Sequence, residues 1–122
     1  MPVGTIPIIE AQVTLLSAEE GGRKWPLRLS LVEGTYRPHL VVGDPHQRRA
    51  LVNASGFGTE EYLGVQFLPA SSDLGPGETA VVRMYLMFYD NAPAVYERLI
   101  PGATFTIREG AKVVGYGRVL TR

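Results

Sequence analysis

Two alternating runs joined at a glycine, Phe105 to Val119 (F-T-I-R-E-G-A-K-V-V-G-Y-G-R-V), constrain the fold more than any other stretch. Ala103, Phe105 and Ile107 alternate with Thr104, Thr106 and Arg108, the period of two of a half-buried strand. Glu109-Gly110 interrupts the run, because glycine adopts positive φ without steric penalty. Lys112 to Leu120 then resumes as strand, with Val113, Gly115, Gly117 and Val119 on its inward face. Two inward glycines imply close backbone approach or a sharp bend, as in a small closed barrel.

The same alternation recurs upstream. Met1 to Pro7 contains two prolines and reads as an extended tail, after which Ile9, Ala11, Val13 and Leu15 mark a first strand. Ser17 to Pro26 is a charged, glycine-containing loop. Leu27 to Glu33 reads as a short strand with Leu27, Leu29 and Leu31 on one face. Gly34-Thr35 turns the chain into Tyr36-Arg37-Pro38, where proline holds Arg37 extended and opens a strand running through His39 to Val42. Gly43 to Thr59 is an irregular connection in which Ala50-Leu51-Val52 pairs briefly. Leu63, Val65 and Phe67 mark the next strand, and Pro69 to Gly77 is turn-rich. Ala80, Val82, Met84, Leu86 and Phe88 form the inward face of the longest strand, with Arg83, Tyr85 and Tyr89 opposite. Asn91 to Leu99 holds a single helical turn that Pro101-Gly102 ends.

Alternation without long apolar runs favours antiparallel pairing. The expectation is one all-β domain over residues 1–122, a closed antiparallel β-barrel of six or seven strands, Greek-key-like in order. At 122 residues such a domain buries a core without staples, and there is no cysteine to make one. No apolar run approaches the roughly 20 residues that span a bilayer, and no signal-peptide pattern opens the chain. The expected setting is the cytoplasm, away from membranes.

Charge limits the partners. Acidic and basic side chains balance at twelve each, which argues against indiscriminate nucleic-acid binding. Ten of the twelve cations are arginine, suited to planar, bidentate contacts. His39 and His46 lack metal-site spacing, and no nucleophile stands beside a base. Glu19-Glu20 and Glu60-Glu61 are adjacent residues, which face opposite ways in a strand. The expectation is a protein that is not an enzyme and holds no cofactor or metal.

Binding residues are read at three places. Arg108-Glu109-Gly110 either presents amides and a guanidinium to a phosphate or pairs with neighbouring loops to hold the barrel end. Glu19, Glu20 and Arg23, with Trp25, either recognise a partner or close the barrel through a salt bridge to Arg37 or Arg108. His46, Arg48 and Arg49 either grip RNA phosphates, with Phe57 or Tyr62 as a stacking face, or lie on a solvated loop. Trp25, Tyr36, Tyr85 and Tyr89 are read as outward aromatics of the kind enriched at protein interfaces.

The order E-E-G-G-R (Glu19 to Arg23), Y-R-P (Tyr36 to Pro38), P-G-E (Pro76 to Glu78) and F-T-I-R-E-G (Phe105 to Gly110) resembles the C-terminal barrel, domain 3, of elongation factor Tu. The tail V-V-G-Y-G-R-V (Val113 to Val119) is similar to that family's closing strand. The resemblance covers nearly the whole chain and implies a six-stranded antiparallel barrel. In the family this barrel packs on a GTPase domain and a second barrel, and contacts the T stem of aminoacyl-tRNA and the exchange factor. It implies tRNA contacts at Glu109 and Gly110, and at His39, which stands where the family has glutamine. The family's D-V-T-G loop is replaced by G-D-P-H-Q-R-R (Gly43 to Arg49), and the loop from Arg23 to Tyr36 is longer. No G-x-x-x-x-G-K-[ST] phosphate loop occurs, so nucleotide binding does not carry over. The resulting expectation is a translation-related module that docks a protein partner, with tRNA-stem binding through the Arg-Glu-Gly turn as the alternative. A small hydrolase with an unfamiliar site ranks third.

Overall fold

A computed structural model describes residues 7–30, 36–56, 58 and 60–122. Six strands form: β1 (Ile8–Leu15), β2 (His39–Val42), β3 (Leu63–Phe67), β4 (Thr79–Leu86), β5 (Thr104–Glu109) and β6 (Lys112–Thr121). A 3-10 turn, Pro93–Tyr96, is the one helical element among the described residues. Every pairing is antiparallel, and the strands close as β1-β4-β3-β2-β5-β6 with β6 returning to β1. The expected all-β, closed six-stranded antiparallel barrel is the fold. Among the described residues no helix is long and apolar enough to cross a membrane.

The alternation read from β1 holds: Ile9, Ala11, Val13 and Leu15 are inside, with Leu40, Val65, Phe67, Met84, Phe105 and Ile107 from the other strands. Apart from Ala11, each such side chain contributes about 1.5–3 kcal/mol by leaving water. Closure depends on β6 lying almost against β1. A Cβ on Gly117 would fall 2.4 Å from the Gln12 carbonyl oxygen and 2.8 Å from Phe105 Cζ, and one on Gly115 would fall 2.7 Å from the Thr14 carbonyl oxygen. The inward glycines are therefore the residues that let the barrel shut.

Several details differ from the sequence reading. Residues 27–30 form no strand: Leu27 makes a single bridge to Leu74, and Leu29 lies buried in a turn. Leu31 and the Gly34-Thr35 turn lie outside the described residues. β6, not β4, is the longest strand. β4 stops at Leu86, where Tyr89 N donates to Leu86 O, so the alternation ends. Phe88 is consequently 53% exposed and Tyr89 packs on the core. Tyr36 also turns inward, edge-on to Phe67 at 5.1 Å.

The register of β6 corrects one more expectation. Ile107 pairs with Gly115 but Arg108 with Val113, so β6 bulges by one residue at Val114. Val114 enters the core in place of Val113.

Candidate functional site

The β5–β6 turn and the loop after β1 meet at one end of the barrel. Gly110 turns the chain at φ 60° with open space around its Cα. Beside it Gly22 packs so closely that a Cβ would fall 2.2 Å from Leu16 O. That contact seats the E-E-G-G-R loop against the barrel. Glu20 turns back to Ser17, accepting from its amide at 3.1 Å and its hydroxyl at 3.0 Å. The amide bond chiefly lowers the Glu20 carboxyl below its ordinary value, with the hydroxyl next.

Arg23 ion-pairs with Glu109, which also accepts from the Tyr36 hydroxyl at 2.6 Å. The Arg23 guanidinium lies 5.1 Å over the Tyr36 ring. Burial first, and the bond to Glu109 second, push the Tyr36 phenol above its ordinary value. Arg23 Nε also donates to Trp25 O at 3.3 Å, which fixes the backbone that displays Trp25. Trp25 itself is 75% exposed. Lys112 Nζ donates to Gly22 O at 3.3 Å, tying β6 to the same loop. Arg23, Lys24, Trp25, Glu109 and Lys112 line a shallow hollow of about 230 Å³.

The loop salt bridge read from sequence thus exists, but between Arg23 and Glu109 rather than to Arg37 or Arg108. Arg37 is exposed and forms no ion pair with a described residue, as is true of Glu19.

Arg108 is not at the surface. Its side chain is wholly buried, with Nη1 and Nη2 donating to the two carboxylate oxygens of Glu60 at 3.0 and 2.9 Å. Nε donates to Thr106 Oγ1 at 2.8 Å, and Nη1 also to the Tyr62 hydroxyl at 3.1 Å. The outward face of β5 is covered by the connection between β2 and β3, which explains why both Thr106 and Arg108 are buried. A phosphate cannot reach this guanidinium without displacing Glu60. The bonds from Arg108 hold the Glu60 carboxyl far down, at about 2, against the opposing effect of burial. Leu51 N and Gln47 Nε2 donate to the same carboxylate at 2.8 and 2.7 Å, so one buried pair pins the whole connection.

His39 stands opposite Arg108 across β2–β5, its ring 5.9 Å from that of Tyr62. Tyr62 is thereby committed to Arg108 and His39 and is not a free stacking face; Phe57 lies outside the described residues. Arg48 folds back on its own loop, donating to Pro45 O at 2.7 Å, and lies 5.3 Å over the Tyr116 ring. Arg49 is exposed and forms no ion pair with a described residue. The structure therefore gathers Arg23, Trp25, Glu109 and Gly110 at one end, with Lys24 and Lys112 added. Arg48 lies over Tyr116, outside the lining of that hollow, and Arg108 is internal.

No family model matches the chain. Among the described residues, no cluster of three His, Cys, Asp or Glu could hold a metal ion. Every buried side-chain nitrogen or oxygen in them has a hydrogen-bond partner.

Sequence reasoning missed Glu60, Lys24 and Lys112. Lys112 was legible, since a strand opening right after the Gly110 turn shares its end of the barrel. Glu60 was not, because it lies in an irregular segment 48 residues from its partner.

Proposed function

We propose that this protein is a non-catalytic binding module that docks a partner protein through the turn end of its barrel, with Trp25 as the anchor. The observation that carries the reading is Trp25 at 75% exposure on a backbone held by Arg23. An exposed indole costs free energy in water, and aromatic anchors flanked by charge dominate binding at protein interfaces. Here the flanks are ordered beforehand by the Arg23–Glu109–Tyr36 set, which limits the side-chain ordering that binding would otherwise cost. Lys24 and Lys112 favour a partner with an acidic surface.

The non-catalytic reading is supported by where the perturbed groups sit. The Glu60 carboxylate borders a hollow of about 470 Å³ but is held on both oxygens by Arg108, Leu51 and Gln47, and the Tyr36 hydroxyl is held by Glu109. Kinship with domain 3 of elongation factor Tu belongs to the same proposal. It is supported by the motif order and by the closed six-stranded barrel. A translation-related, cytoplasmic role follows from that kinship.

A second reading, binding of an RNA stem at the same end, draws on Arg23, Lys24 and Lys112 around a free aromatic face. The two separate in one experiment. Tagged wild-type protein and Trp25→Ala are used to capture partners from host lysate, with and without nuclease. The docking reading predicts a stoichiometric protein retained after nuclease by the wild type and lost by Trp25→Ala. RNA enriched by the wild type and removed by nuclease supports the second reading, with affinity falling steeply with salt. Nothing retained, or equal retention by Trp25→Ala, refutes docking at this end.

A further inference from the structure

A second concave surface lies on the outer wall of the barrel. Gln12 of β1, Arg118 of β6 and Thr104 of β5 stand side by side in register, with Thr14 and Tyr116 in the neighbouring row. The connection leaving β2 overhangs this wall and is fastened to it. Gly43 N donates to Thr104 O at 3.0 Å, and Thr104 Oγ1 donates to Gly43 O at 2.8 Å. Asp44 accepts from His46 N at 2.8 Å, shaping the bend. Arg48 lies over Tyr116, and the His46 ring is 6.3 Å from the same ring. Between loop and wall is a groove of about 300 Å³ with Pro45 and His46 as its overhang.

The groove offers unused polar groups, of which Arg118 carries charge. The Arg118 guanidinium, the Gln12 carboxamide and the Tyr116 hydroxyl make no hydrogen bond or ion pair to any described residue. No carboxylate lines the groove. Two nearby acids are bonded elsewhere, Asp44 to His46 N and Glu20 to Ser17. Arg118 is thus the arginine of the lining, unpaired among the described residues, in a groove that no carboxylate lines.

An unpaired guanidinium in a groove without a carboxylate calls for a negatively charged ligand rich in acceptors. A guanidinium fits phosphate with two parallel N–H bonds, which an ammonium cannot offer. The volume is at the lower end of ordinary small-molecule sites, enough for a phosphate with a sugar-sized body. We propose that this groove binds a small phosphate monoester, its phosphate on Arg118 and its body between Tyr116 and Pro45. Its lining shares no residue with the hollow at Trp25, so either assignment can fail without the other.

Amide shifts of ¹⁵N-labelled protein test it, with ribose 5-phosphate as probe and ribose as control. Saturable shifts at Thr14, Thr104, Tyr116 and Arg118 with ribose 5-phosphate, and none with ribose, are expected. Arg118→Gln removes the guanidinium from an exposed strand position and should weaken binding at least about tenfold with an unchanged melting temperature. Gln12→Glu places a like charge on the floor and should do the same. No saturation at millimolar ribose 5-phosphate, or undiminished binding in both variants, overturns the proposal. An RNA hairpin that shifts these residues more strongly than ribose 5-phosphate overturns it too, by making the ligand a polymer.

Discussion

Arg108 and Glu60 show how one residue pair sets what the rest of a loop can do. A fully buried guanidinium is tolerable only because both carboxylate oxygens, a threonine and a tyrosine satisfy it. Glu60→Ala leaves that charge buried and unpaired, and should cost about 3–5 kcal/mol in urea unfolding. The double change Arg108→Met with Glu60→Leu should recover most of it, because no uncompensated charge is left. An equal loss in single and double variants would mean that packing, not charge, is at stake. The pair also fixes a pH response. The folded Glu60 carboxyl titrates at about 2, below its ordinary 4.5, so the stability it adds is complete above 4.5 and fades as pH falls toward 2. Wild type should lose more stability across that window than Glu60→Gln, measured by denaturant midpoints at each pH. Parallel curves would contradict the assignment.

Among the elements, the β5–β6 hairpin carries the closure. Gly117→Ala sets a methyl against the Gln12 carbonyl and the Phe105 ring, neither of which yields without moving β1 or the core. It should cost about 1–3 kcal/mol or more, as overpacking does. Gly110→Ala meets no neighbour and should suffer only the strain of positive φ, about 1 kcal/mol. Thermal denaturation ranks the two, and the reverse order would refute the view that close approach rather than the turn demands glycine. This hairpin was legible in the sequence because both its signals are local: a period of two and glycines on one face. The strand read at 27–33 failed in its described part for the opposite reason. Leu27 and Leu29 do alternate into the core, but a single bridge to Leu74 is the only ladder they find. Of the two readings of Arg108, pairing with a neighbouring loop holds; its full burial was not legible, since its cover arrives from a segment with no periodicity of its own. Tyr36 was misjudged likewise, because its inward turn depends on Glu109 and Phe67, both distant in the chain. Trp25 was legible as an exposed aromatic, flanked by charge and proline in a loop.

At the scale of the whole molecule, a closed barrel has no free strand edge, so recognition falls to side chains on its ends and walls. Overall neutrality leaves local clusters to set partner choice. The strongest local feature is the turn end, where an indole stands out from an ion-paired base. Trp25→Ala should weaken partner binding by about 2 kcal/mol, roughly thirtyfold, while leaving the unfolding midpoint unchanged. A shifted midpoint with unchanged affinity would make Trp25 a structural residue instead. Trp25 is also the only tryptophan in the chain, so its fluorescence reports on this surface alone. The most direct measurement is Trp25 emission while the protein is titrated with the nuclease-resistant partner fraction, if that fraction itself lacks tryptophan fluorescence or is matched by a blank. Docking at the turn end predicts a blue shift that saturates as the indole leaves water. Binding with no change in Trp25 emission would place the partner elsewhere on the barrel and contradict the central claim.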